Sequence, residues 1–255
     1  MKLGMSSLLE HDSVEDNIRL AKNLDLDFIE LNYNFNYCRM AILDGKISQL
    51  LKDNNLEATI HFFDEADFGA IDEIRDTYIK LFSQIIQVIE NINEIKSIII
   101  HLNPGPIVTI NGKKHYVYEK EEADFKTRLY DSLETLNDLC LKNNKQLIIE
   151  NTVLPNFLKK VYLELKQKDY YFCYDIGHDY KDKYKINILQ QSHDFNFKEF
   201  HIHNSDGFKD HLALNKGLIN INYFKTMALV HDAMVVIEVK NESDLKLSVP
   251  LFKSI

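Results

Sequence analysis

Apolar residues along this chain fall into short runs separated by stretches of a different rhythm. Eight runs have the length and the β-branched or aromatic content of buried strands: "LGMSS" from residue 3, "FIELNY" from 28, "ATIHFF" from 58, "SIIIHLN" from 97, "QLIIENT" from 146, "YFCYDIGH" from 171, "EFHIHNS" from 199 and "MVVIEVK" from 234. Between most of them, apolar side chains return every three or four positions, the spacing of amphipathic helices. Examples are "VEDNIRLAKNLD", "IDEIRDTYIKLFSQIIQVIENI", "ADFKTRLYDSLETLNDLCLKNN" and "NFLKKVYLELKQK". The segments "INILQQ" and "NYFKTMALV" are shorter and carry the helical pattern weakly.

Strands alternating with helices pair in parallel through right-handed crossovers. Eight such units within 255 residues predict a closed (β/α)8 TIM barrel, α/β in class, with residues 1–255 forming one domain. An open doubly wound sheet is the alternative, but no Gly-x-Gly-x-x-Gly follows any of the strands to support a dinucleotide site. No linker rich in Pro, Gly or Ser divides the chain.

In a barrel of this kind the reactive groups sit at the C-terminal rim, where the strands open into loops. Metal-capable side chains gather there: His61 ends the third strand, His101 the fourth, Glu150 the fifth and Asp175 the sixth, with His178 just beyond. His201 and His203 end the seventh, His211 follows in its loop, and Glu238 ends the eighth. These six histidines, of ten in the chain, all lie at or just past a strand end. Strand parity puts His201 and His203 on one face and Phe200 and Ile202 on the other. The two imidazoles therefore point toward the barrel axis. Carboxylates and imidazoles converging in a poorly solvated cup are costly unless paired or bound to a cation. Mixed oxygen and imidazole donors without a suitably placed thiolate suit Mn²⁺, Zn²⁺, Mg²⁺ or Co²⁺.

Other residues have simpler readings. Glu30 in "FIEL" is placed to reach the same cup, but a neighbouring Lys or backbone amide explains it as well, and it is not taken as catalytic. Cys173 reads as buried packing, and Asn32, Tyr33 and Phe63 follow strands that could line a pocket. His11, His193 and His231 read as surface residues, and His115 stands beside the small basic patch "NGKKH".

The net charge of −9 repels phosphate backbones, so nucleic acid is a disfavoured partner. Three widely spaced cysteines suit reduced thiols, and no run of about 18 apolar residues offers a membrane span. A cytoplasmic location is the expectation, and a homo-oligomer is compatible with everything above.

These motifs together resemble the xylose isomerase-like TIM barrels, a group spanning sugar phosphate isomerases and epimerases and the AP endonuclease IV family. "FIEL", "ATIHFF", "IIIHLNPG", "LIIENT", "CYDIGH", "FHIHNSDGFKDHLALNKG" and "VIEVK" carry the resemblance over essentially the whole chain. It implies one divalent metal held by Glu150, Asp175, His201 and Glu238, with His178 on the substrate. In the endonuclease branch, His61, His101, His178 and His211 would be additional metal ligands; otherwise His61 and His101 are acid/base or substrate contacts. That branch has an Asp-x-His motif after the seventh strand, and Lys209 stands here where its Asp would be, which speaks against a trinuclear centre. His203 and Asp206 would orient their neighbours.

The expected activity is a metal-dependent sugar isomerase or epimerase working through a metal-stabilised enediolate, with Glu150 and Glu238 as ligands and proton carriers. A 1,2-hydride shift is the other route open to such a site. Hydrolysis of abasic-site DNA is the rival, and a barrel that binds metal or sugar without turnover is the third reading.

Overall fold

The computed structural model describes residues 1–152, 154–184 and 188–255. Its centre is a closed barrel of parallel strands: β1 (Leu3–Ser6), β2 (Phe28–Asn32), β3 (Glu57–His61), β4 (Ile95–His101), β7 (Gln146–Glu150), β8 (Tyr171–Asp175), β9 (Phe197–Ile202) and β10 (Met234–Ile237). The strands run round it in chain order, and β10 closes on β1 with Leu3 opposite Val235. All eight predicted strands are present, so the (β/α)8 barrel is the fold.

The helices form where the periodicity places them, at Val14–Asn23, Asp72–Ile89, Glu122–Lys142 and Asn156–Leu165. Each turns an apolar stripe onto the barrel wall. In the helix Asp72–Ile89, for example, Phe82, Ile85, Ile86 and Ile89 are buried while the intervening polar positions face outward. Between β2 and β3 the chain makes two helices, Asn36–Leu43 and Lys46–Asn54. Of the two weakly patterned segments, "NYFKTMALV" lies within the helix Ile221–Val230, whereas "INILQQ" falls partly outside the described residues and ends in the short 3-10 helix Leu189–Asp194.

Side chains on the outer face of the strands, such as Ile29, Leu31, Ile98, Ile100, Phe200 and Ile202, pack with the helices into one continuous core. The inner face is different in kind. Ile99, Ile148 and Cys173 form a small separate apolar cluster, and beside them the buried inventory includes Glu30, Thr59, Ser97, Glu199 and His201. A barrel interior normally filled by branched apolar side chains is here substantially polar.

One feature went unread in the sequence. The loop after β4 carries an antiparallel hairpin, β5 (Ile107–Ile110) and β6 (Lys113–Tyr116), turning on Asn111 and Gly112, both at positive φ. "NGKKH" is thus the tip of a hairpin, and Asn-Gly between alternating residues was its signal.

Candidate active site

The C-terminal ends of β3, β4, β7, β8, β9 and β10 deliver His61, His101, Glu150, Asp175, His201, His203 and Glu238 to one rim. Glu150, Asp175, His201 and His203 are each 1% exposed or less. His178 enters from the short helix Ile176–Lys181 that follows β8, and His211 from the loop that follows β9.

Two donor groups form. Glu150 Oε2 lies 3.2 Å from His61 Nε2 and 3.3 Å from His101 Nε2. Across the rim, Asp175, His203, His211 and Glu238 each present a ligand atom within 4.8 Å of the others. His203 Nε2 sits 3.0 Å from both oxygens of Asp175, His211 Nε2 sits 3.2 Å from Glu238 Oε1, and the two rings stack with centroids 4.1 Å apart. His201 joins the groups from beneath: its Nδ1 is 3.3 Å from Glu150 Oε2 and 3.3 Å from Glu238 Oε2.

The expected set of Glu150, Asp175, His201 and Glu238 is thus only partly gathered. His201 meets both glutamates, but the imidazole on Asp175 is His203. Parity aimed both histidines at the axis; His201 is the register partner of Asp175, but its ring turns to the glutamates, and His203, one residue past the end of β9, reaches the Asp175 carboxylate. His178 stands farther back, with Nε2 3.9 Å from Asp175 Oδ2.

Lys209 does not occupy the rim. It is exposed in a turn where Asp206 Oδ1 accepts from the backbone amides of Phe208 and Lys209. Asp206 therefore shapes this turn and orients no rim imidazole. Asp210 faces inward instead, 3.2 Å from His211 Nδ1, 3.7 Å from His178 Nδ1 and 2.8 Å from Lys181 Nζ. Asp210, one position past Lys209, thus gives both histidines an acidic partner, at a point where His211, with φ 54°, turns the backbone.

The supporting residues are small or amide-bearing. Asn151 both donates to the Asp175 carbonyl and accepts from its amide, and Asp175 accepts from the amide of His178 as cap of the helix Ile176–Lys181. Gly177 passes against His203 so closely that a Cβ there would stand 1.9 Å from the ring. Asn204 accepts from the amides of Ser205 and Ile219 and donates to the Leu214 carbonyl, tying down the loop that carries His211.

Burial would raise the carboxyls of Glu150 and Glu238, but the facing imidazoles outweigh it and hold both well below the usual carboxylate range: His201 and His101 for Glu150, His211 and His201 for Glu238. Asp175 is lowered in the same way by His178 and His203. In return the carboxylates overcome the burial of the imidazoles, raising His61 to about 10 and His211 to about 9. Burial pushes the Cys173 thiol well above its ordinary value, so it remains protonated packing.

The donors suit a divalent cation. His101 Nε2, His178 Nδ1, His201 Nδ1 and Glu238 Oε2 are buried without a hydrogen bond. Moreover, two donors about 2.1 Å from one ion at tetrahedral or octahedral angles stand about 3.0–3.4 Å apart, the spacing seen here. Beside Glu238 a cavity of about 310 Å³ is lined by Ser7, Asn32, Asn34, Asp64 and Lys240. Of the other expected pocket residues, Tyr33 is buried in the core, and Phe63 lines a separate apolar groove with Tyr78 and Ile74.

Residues 18–254 match the family of xylose isomerase-like TIM barrels. The chain belongs to that family. An uncharacterised protein of Methanocaldococcus jannaschii is 28% identical over 269 residues, spanning 100% of this chain and 99% of its own. Among solved structures, a D-tagatose 3-epimerase-like protein superposes with a TM-score of 0.81 at 17% identity, covering 100% of this chain and 96% of the other. The IOLI protein with a bound zinc atom gives 0.73 at 13%, covering 100% and 94%. These likenesses establish the barrel; family members do different chemistry on it. Among the described residues no helix is long and apolar enough to cross a membrane.

Proposed function

We propose that this protein is a divalent-metal-dependent epimerase or isomerase of a small sugar or polyol-derived carbonyl compound. The observation that carries the reading is that Glu150 and Glu238, three strand positions apart in the barrel, both come within 3.3 Å of one imidazole nitrogen, with Glu238 on a cavity lined by amides and hydroxyls.

Inverting a carbon next to a carbonyl requires a base on one face and an acid on the other. Glu150 and Glu238, both held ionised, stand where they can flank such a carbon. One takes the proton and the other, once protonated, returns one to the opposite face. Asn32 and Asn34 supply hydrogen-bonding groups for substrate hydroxyls in the cavity.

Mn²⁺, Zn²⁺, Mg²⁺ or Co²⁺ would be held by Glu150, Asp175 and Glu238 with His203, which the geometry favours over the expected His201. His61, His101 and His211 would be further ligands or substrate contacts, and His178 a substrate contact. When bound, the cation supplies charge stabilisation for the carbonyl oxygen as the proton leaves. The rival reading, hydrolysis of abasic-site DNA, gains from Asp210 reaching His178 and His211, which offers a third donor group. The −9 charge weighs against it.

Incubation of the Mn²⁺-loaded protein with a panel of ketoses, inosose-like polyols and their phosphates in D₂O tests the proposal. The expected result is deuterium incorporation beside a carbonyl. No incorporation across the panel, together with incision of an abasic oligonucleotide and three metals per chain, overturns it.

A further inference from the structure

The polar interior beneath the rim contains a carboxylate that the proposed chemistry does not use. Glu30, on β2, is 1% exposed, and its Oε2 lies 3.1 Å from His201 Nε2. The same nitrogen has a longer contact, 3.4 Å, to Glu199 Oε1. With Nε2 committed to this side, Nδ1 is the atom left to face upward, and it lies 3.3 Å from both Glu150 Oε2 and Glu238 Oε2. His201 is fully buried and cannot touch a substrate in the cavity. It can act only through the two glutamates it contacts.

Carboxylates in a barrel interior are costly compared with the branched apolar residues that usually fill one, and Ile99, Ile148 and Val236 show that such residues fit this interior. Packing alone therefore gives no reason for Glu30. Fixing an imidazole in one ring orientation does, because the second ring nitrogen of a histidine is set by what the first one bonds.

We propose that Glu30 is a positioning residue: through the buried ring of His201 it sets the spacing and orientation of the Glu150 and Glu238 carboxylates, and so the geometry of a divalent cation held there. The inference rests on reading those two glutamates as cation-binding groups. It does not depend on the reaction they perform.

Co²⁺ alone serves as the probe, since its visible absorption reports coordination geometry without a substrate. Glu30→Met removes the acceptor at similar volume, Glu30→Gln keeps an acceptor for the Nε2 proton, and Glu30→Asp draws it back by one methylene. Co²⁺ affinity by calorimetry, the Co²⁺ spectrum and the metal-free thermal midpoint are measured for each. Expected are a weakening of Co²⁺ binding by about 10–100-fold with an altered spectrum in Glu30→Met and Glu30→Asp, at an unchanged or higher midpoint for Glu30→Met, and near wild-type binding in Glu30→Gln. Wild-type affinity and spectrum in Glu30→Asp overturn the inference, as does a loss confined to the midpoint and shared by Glu30→Gln. If Glu30→Met does not fold, Glu30→Asp against Glu30→Gln decides. A wild-type protein that binds no Co²⁺ overturns the metal reading and this inference together. One that binds Co²⁺ but turns over no sugar overturns only the proposed reaction.

Discussion

His203 and Asp175 face each other with the imidazole Nε2 equidistant, at 3.0 Å, from both carboxylate oxygens, and neither side chain is exposed. Each comes from a different strand region, and each is fixed from behind. His203 Nδ1 accepts from the His211 amide, while Asp175 accepts from the amide of His178. The pair is therefore rigid and sensitive to the volume around it.

Gly177→Ala tests that rigidity. The added methyl would stand 1.9 Å from His203 Cε1 and 2.7 Å from its Nε2, so the ring must shift away from Asp175. A stability loss of about 1–3 kcal/mol is expected from overpacking. Metal affinity, measured by calorimetry, should fall by about tenfold or more.

Glu150→Gln keeps the side-chain volume but removes the carboxylate, and with it both a proton carrier and a cation-binding group. Deuterium exchange into the true substrate should drop by about 10²–10⁴-fold, and Glu238→Gln should behave alike. Wild-type exchange in Glu150→Gln would remove that residue from the mechanism.

Metal affinity should depend on pH. His61, raised to about 10, and His211, raised to about 9, carry protons in the metal-free site at neutral pH. An imidazole must lose that proton to bind a cation. Each proton so released makes binding about tenfold tighter per pH unit up to the raised pKa. Calorimetry at pH 6.5 and 8 in buffers of different ionisation enthalpy would count the protons, and pH-independent affinity would show that neither histidine is a ligand.

Glu199 predicts an opposite trend in the stability of the metal-free protein. Burial raises its carboxyl from 4.5 to about 8, so between those values the folded chain holds a proton that the unfolded chain has lost. Its contribution is full below about pH 4.5 and declines as pH rises toward 8. Denaturant titrations at pH 5.5 and 7.5 should show wild type losing more stability than Glu199→Gln over that interval.

Much of this molecule was legible in its residue order. Eight apolar runs with helical spacing between them demand burial on a parallel sheet, and closure of the barrel follows from their number. Polar residues at the ends of those runs had to reach the rim, since inward-facing positions alternate strictly along a strand. That is why His61, His101, Glu150, Asp175, His201, His203 and Glu238 stand out from spacing alone, whereas the narrower set of Glu150, Asp175, His201 and Glu238 came from the family resemblance.

Depth could not be read in the same way. His201 and His203 share a face, and a one-strand view gives no reason to prefer either beside Asp175. In strand register Asp175 pairs with His201, after a shift between Phe172 and Cys173, yet the His201 ring turns to Glu30 and Glu199 while His203, just past the end of β9, reaches both oxygens of Asp175. At the turn of His211, likewise, Asp210 reaches two histidines although Lys209 holds the expected position. Period and parity act along a single strand and are written in order and spacing; which ring meets which carboxylate depends on side chains converging from several strands and the loops after them, and it exists only once the cylinder has closed.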